Sequence, residues 1–245
     1  MSAVHSENSV APSDEVLALY SELARNPGKE FGWGKGKENA RALGYEARWL
    51  ERLPQRVWES TAAVGNPFSL GRIRPGEVVV DLGCGAGADL CVSALLVGAA
   101  GRVIGIDLTP AMVAKARENA ALSALGNVEV RIGDVEATGL PDSCANVVLS
   151  NGAINLSAHK PCVFKEAFRI LKPGGRIQFA DMVRTDAGDV ASCDSWAGCV
   201  AGTVEPERYL AMLRAAGFVE AELVAFTNYK TAPTTIGATF KARRS

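Results

Sequence analysis

The sequence predicts an α/β fold: an open, mostly parallel sheet with helices on both faces, preceded by a smaller helical segment. Two observations predict it. From Glu77 onward, short continuous apolar runs alternate with amphipathic stretches, the texture of strands buried on both faces and linked by crossover helices. Before Gly71 that alternation is absent, and helical patterns broken by glycine and proline take its place. The chain has 245 residues, 48% of them hydrophobic, enough to bury a sizeable core. A formal net charge of -1 offers no basic surplus to suit nucleic acid as a partner. No apolar run reaches the roughly 18 residues of a membrane span, and MSAVHSENSVAPSDE has no apolar signal-peptide core. Six cysteines without CxxC spacing point to reduced thiols, so a cytoplasmic protein without a structural metal is expected.

Residues 1–12 read as a disordered tail. A helix is expected from about Ser13, with Val16, Leu17, Tyr20 and Leu23 at helical spacing, until NPGKEFGWGKGK breaks it. ENARALGYEARWLERLPQRVWES then reads as helix interrupted near Pro54. Its Trp49, Leu50, Leu53, Val57 and Trp58 form an apolar stripe that suits core packing better than a pocket wall. Lys35, Lys37, Arg41, Arg48, Arg52 and Arg56 interleave with Glu38, Glu46, Glu51 and Glu59, which describes a solvated helix face rather than a basic patch. EVVVDLG is the first strand and ADLCVSALLVG a helix. GRVIGID is the second strand, followed by the helix TPAMVAKARENAAL with Thr109 at its N-cap and Pro110 in its first position. NVEVRIGD, ANVVLSN and GRIQFADMV supply three further strands, with the helix CVFKEAFRILK before the last of them. PERYLAMLRAAGF is a late helix, and ELVAFTNYKT with TTIGATFKARR predicts an antiparallel hairpin that closes the sheet. Residues 185–204 interrupt the alternation and read as an inserted cap or lid.

The densest local signal is Asp81-Leu82-Gly83-Cys84-Gly85-Ala86-Gly87, where the first strand turns into a helix. Glycines at alternate positions let a ligand approach the backbone closely. The spacing is GxGxG preceded by an acid, not the GxGxxG of pyrophosphate binders. The second strand ends in Asp107, where an acid can accept from both hydroxyls of a ribose, and the third ends in Gly133-Asp134, where a carboxylate can accept from an adenine amine. Three acids at successive strand ends fall on one edge of the sheet, the edge at which open α/β folds bind ligands.

DLGCGAG, GID, GD and LKPGG (171–175) together resemble the class I S-adenosylmethionine-dependent methyltransferases over residues 75–183. The resemblance implies a Rossmann-like, seven-stranded sheet with an antiparallel last strand, S-adenosylmethionine as cofactor, and a small-molecule methyl acceptor. It divides the chain into a helical lid (13–70) and a cofactor-binding domain (71–245) with the insertion near 185–204. By the same resemblance Gly83, Gly85 and Gly87 line the methionine and ribose, and Asp81 lies near the methionine amino group. Asp107 with Leu108 holds the ribose, Asp134 with Val135 holds the adenine, and Asn151 borders the sulfonium and the acceptor.

A narrower resemblance links SNGAINLSAHKPCVFKEAFRILKPGG, the GNP at 65–67 and CVAG at 199–202 to the arsenite methyltransferases. That family grips trivalent arsenic with several thiolates, as a soft metalloid requires. Here Val64 and Gly152 stand where the family has cysteines, and no cysteine precedes Cys84. Cys199 alone matches, leaving either a rearranged site with Cys193 and Cys162 or no thiolate trap. Cys84 and Cys91 read as small buried hydrophobes and His159 as an exposed loop residue. The implied reaction is methyl transfer to a small soft nucleophile, with Asn151 and Cys199 as candidate catalytic residues. A secondary-metabolite methyltransferase and a non-catalytic cofactor-binding protein are the alternatives.

Overall fold

The computed structural model describes residues 12–185 and 202–245. The expected tail up to Ala11, and Cys193, Trp196 and Cys199 of the expected insertion, lie outside the described residues.

Four helices precede the sheet: α1 (Pro12–Arg25), α2 (Gly36–Ala42), α3 (Ala47–Arg52) and α4 (Gln55–Trp58). The sequence predicted one break near Pro54; a second separates α2 from α3, where Gly44 takes φ +82°. Trp49, Leu50, Leu53, Val57 and Trp58 are all buried, packed with Ala88, Cys91 and Val92 of the domain behind them. The stripe is therefore core, and burying each large side chain is worth about 1.5–3 kcal/mol. Arg41 pairs with Glu38, Arg48 with Glu46 and Arg56 with Glu118 on the solvated side.

The sheet comprises β1 (Val78–Leu82), β2 (Arg102–Asp107), β3 (Val128–Ile132), β4 (Ala145–Asn151), β5 (Leu171–Arg184), β6 (Phe218–Phe226) and β7 (Thr235–Arg244). Its strand order is β3-β2-β1-β4-β5-β7-β6. β1 to β5 are parallel, whereas β7 runs antiparallel to both β5 and β6. The predicted hairpin forms, but its second strand is the inner one. The reason is burial: Ala238, Phe240 and Ala242 of β7 join the main core, while Val219, Val224 and Phe226 of β6 are exposed at the edge. β5 starts at Leu171, earlier than expected, because LKPGG pairs with β4 through a register shift between Ala145 and Val147. β6 likewise starts at Phe218, ahead of the predicted Glu222.

Helices α5 (Ala88–Val97), α6 (Pro110–Leu122), α7 (Lys160–Ile170) and α8 (Pro206–Ala215) cover the sheet. Thr109 occupies the N-cap position of α6 without a side-chain capping bond, and Pro110 is its first residue. α1 lies on α6, tied by Lys115 Nζ donating to the carbonyl of Ala24 at 3.0 Å. Among the described residues no helix is long and apolar enough to cross a membrane.

Candidate functional site

The carboxyl ends of β1, β2 and β4 open into one cavity of about 370 Å³. Its floor is the glycine loop. Gly83 and Cys84 N–H both donate to the Ile106 carbonyl (2.8 and 3.0 Å), which bends the chain off β1 against β2. A Cβ on Gly83 would lie 2.2 Å from Ala153 Cβ, whereas one on Gly85 would meet nothing within 4 Å. Gly83 thus serves the fold, and Gly85 leaves room on the cavity side. Gly87 is the N-cap of α5 and rests against Ala116 of α6.

Asp107 closes β2. Its Oδ2 accepts from Gly85 N–H and its Oδ1 from Thr109 N–H, both at 2.8 Å, so one carboxylate braces the glycine loop and the start of α6. Burial pushes this carboxyl up, and the two backbone donors oppose that shift. Asp81 is 2% exposed, and its Oδ2 has no hydrogen-bond partner. Burial first, then the nearby Asp89 and Asp107, push it well above the usual carboxylate range. Asp134 is exposed at the far rim and accepts from Glu136 N–H at 2.8 Å in a tight turn.

Asn151 ends β4 and is heavily engaged. Its Nδ2 donates to Tyr45 Oη (3.0 Å), the Gly65 carbonyl (3.0 Å) and Asp89 Oδ2 (2.9 Å), while its Oδ1 accepts from Val64 N–H (3.0 Å). Tyr45 Oη in turn donates to Asp89 Oδ1 at 2.6 Å. Burial raises the Asp89 carboxyl, and these two donors oppose the shift.

The opposite wall is the turn Ile154–Leu156 and the loop to His159. Asp181 on β5 supports it from beneath: its Oδ2 accepts from Asn155 N–H at 2.9 Å and its Oδ1 from Met182 N–H at 2.8 Å. Burial pushes Asp181 up to about 7. Ser157 Oγ donates to Glu136 Oε1 at 2.6 Å, joining this wall to the Asp134 side. Val16 and Tyr20 of α1, with residues 60–63, face the cavity from the N-terminal segment.

The cavity brings together Asp81, Gly83, Gly85, Gly87, Asp107, Leu108, Asp134, Val135 and Asn151. Asp89 also lines it, and sequence reading missed that residue; its signal was an acid within the otherwise apolar helix ADLCVSALLV. Tyr45, its donor, carried no such signal. Cys84 and Cys91 are buried, their thiols pushed up by burial, Cys91 to about 12, in keeping with small hydrophobes. His159 is exposed at the rim. A Cβ on Gly152 would sit 3.3 Å from Val64 Cγ1, so the two positions that differ from the arsenite-methylating pattern adjoin in space.

Several carboxylates and little opposing charge, beside a backbone free of side chains, make a place for a ligand with cationic groups. The unpartnered Asp81 oxygen is the sharpest sign, because a buried carboxyl oxygen without a hydrogen-bond partner is costly until one arrives.

A family model described as a methyltransferase domain matches residues 73–217. The arsenite methyltransferase of Halobacterium salinarum is 44% identical over 184 residues, covering 74% of this chain and 47% of the relative. The arsenite methyltransferase of Aquipseudomonas alcaligenes is 34% identical over 190 residues, covering 72% of this chain and 54% of the relative. The chain thus spans about half the length of these curated relatives. Among solved structures, an arsenic(III) S-adenosylmethionine methyltransferase from Chlamydomonas reinhardtii superposes with a TM-score of 0.60 at 28% identity, covering 86% of this chain and 73% of that one.

Proposed function

This chain belongs to the class I S-adenosylmethionine-dependent methyltransferases, and from that premise we propose that it methylates a small soft nucleophile, a trivalent arsenical or a thiol. S-adenosylmethionine, its cofactor, supplies an electrophilic methyl group. The residues of the chain bind and align the reactants and keep water out.

In this reading Asp81 takes the methionine ammonium on its unpartnered oxygen. Asp107 keeps a lone pair on each oxygen for the ribose hydroxyls after serving Gly85 and Thr109, with Leu108 beside it. Asp134 and Val135 take the adenine. Gly83, Gly85 and Gly87 admit the methionine and ribose against the backbone. Asn151 is a positioning residue at the acceptor border, since its amide is committed to Tyr45, Gly65, Asp89 and Val64. Residues 13–70 act as a lid on the cofactor-binding domain, with Val16, Tyr20 and residues 60–63 facing the cavity.

The observation that carries the acceptor class is the 44% identity to an arsenite methyltransferase. Val64 and Gly152, adjoining where thiolates are expected, shift the preferred acceptor toward an arsenical that already bears carbon or thiol ligands. One thiol, Cys199, is too few for three-coordinate capture of bare arsenite.

The test is methyl transfer from labelled S-adenosylmethionine to arsenite, methylarsenite, sulfide and a simple thiol, for the parent protein and Cys199→Ser. We expect methylarsenite or the thiol to outpace arsenite. An arsenical activity that collapses in Cys199→Ser marks a surviving thiolate contact. No transfer to any of the four sinks the soft-nucleophile proposal and directs the search to oxygen and carbon acceptors.

A further inference from the structure

Among the described residues, the cavity lining carries five carboxylic acids, Asp81, Asp89, Asp107, Asp134 and Glu136, and no lysine or arginine. Asp81, Asp89 and Asp107 are at most 9% exposed. A buried carboxylate needs donors or a counter-charge. Asp107 is answered by two backbone N–H groups. Asp89 is held differently: its donors are the Tyr45 hydroxyl and the Asn151 amide, both neutral and both brought from other elements. Asp81, its neighbour, keeps one oxygen without any partner. Two adjacent buried carboxyl groups therefore have no lysine or arginine among the described lining residues, and only Asp89 has a donor to each oxygen.

We infer that Asp89 is the residue by which this site distinguishes the charged methyl donor from its spent product. S-adenosylmethionine has two positive groups, an ammonium and a sulfonium, and Asp81 with Asp89 presents two buried acids to them. When the methyl carbon bonds to the acceptor's lone pair, the sulfur keeps the electrons of the broken bond and becomes neutral. One carboxylate is then left without its counter-charge, so the product is held less tightly and departs. The ammonium and the α-carboxylate are common to both forms and cancel in the comparison. Tyr45 and Asn151 fix the Asp89 carboxylate by one bond to each oxygen, so it cannot turn away when the charge disappears. The inference rests on the cofactor placement proposed above.

Calorimetric titration of the full chain without acceptor tests it, using S-adenosylmethionine, S-adenosylhomocysteine and sinefungin, whose amine replaces the sulfonium. The parent protein should bind both cationic ligands about tenfold or more tighter than the thioether. Asp89→Asn should bring the ratio close to one, mainly by weakening the cationic ligands. Tyr45→Phe keeps the carboxylate and should keep the preference, whereas a merely structural bolt predicts equal losses for all three ligands. A parent protein without preference for the cationic ligands overturns the inference even if Asp89→Asn fails to fold, as does an unchanged ratio in a folded Asp89→Asn. Asp134→Asn separates the two levels of argument, because it should weaken all three ligands alike. If it alters none of them, the cofactor placement itself is wrong, and the inference falls with it.

Discussion

Gly83 and Gly85 look equivalent in the motif yet answer to different neighbours. Both have positive φ, +72° and +52°. A methyl group on Gly83 collides with Ala153, while one on Gly85 enters open space. Gly83→Ala should therefore lose about 2–4 kcal/mol of stability through overpacking and strain. Gly85→Ala should lose only about 1–2 kcal/mol of stability, the cost of the left-handed backbone, and suffer chiefly in S-adenosylmethionine affinity. Denaturant unfolding beside ligand titration checks the contrast, and equal stability losses would refute it. The motif announced three glycines as a set; it could not divide their duties, because Ala153 is remote in sequence and arrives only with the fold. Asp181 was invisible for the same reason. Its carboxyl titrates near 7 when folded, above the roughly 3.9 of an unfolded chain. Between those values the native state holds a proton that the unfolded chain releases, so stability falls as pH rises through this window and levels off above it. The slope from this group is at most about 1.4 kcal/mol per pH unit. Asp181→Asn removes that slope, so its disadvantage to the parent, measured by urea unfolding at pH 5 and pH 8, should be larger at pH 5. A difference independent of pH would assign Asp181 no titration in this range.

At the scale of elements, one polar knot joins the N-terminal helices to the sheet. Tyr45 lies between α2 and α3, Asp89 in the first turn of α5, and Asn151 at the end of β4. Asn151→Ala leaves Val64 N–H and one Asp89 oxygen short of partners, and should cost about 2–4 kcal/mol. The loss should be local as well as global: amide exchange should quicken at residues 60–66 more than in β1 or β2. Equal quickening everywhere would deny the knot its role as a tether. Such a knot is hard to read beforehand, since an acid in the first turn of a helix is ordinarily explained by the helix dipole. The crossover elements were readable because their apolar periodicity is local. The gap between α2 and α3 was not, because the pattern runs on through Arg41-Ala42-Leu43 until Gly44 turns the chain. β7 shows the same limit: its pairing with β6 is visible in adjoining runs, but its place beside β5 depends on which strand the core demands.

At the scale of the whole molecule, the cavity is shared between two kinds of structure. Its floor belongs to β1, β2 and the glycine loop, which stand between two apolar clusters built from alternate residues of the strands. Its cover belongs to α1 and residues 60–63, where Val16, Tyr20 and Ala62 are only partly buried. The floor was legible because acids and glycines recur at strand ends. The sequence named a helical lid over residues 13–70 but not the side chains that face the cavity, because Val16 and Tyr20 read from their spacing as ordinary helix-face residues. This asymmetry predicts how the molecule responds to its cofactor. A ligand present at a hundred times its Kd stabilises the folded state by about 2.7 kcal/mol, which for a chain of this size raises Tm by roughly 5–10 °C. Slower amide exchange should accompany it in the glycine loop and, if residues 13–70 act as a lid, in α1 and residues 60–63. α3 should change little, because Trp49, Leu50 and Leu53 already anchor that part of the segment against α5. Exchange mass spectrometry with and without S-adenosylmethionine resolves the three regions. Protection confined to the glycine loop and the ends of β2 and β3 would mean that α1 is fixed scaffold, and that the acceptor rather than the cofactor must supply the force for any closure.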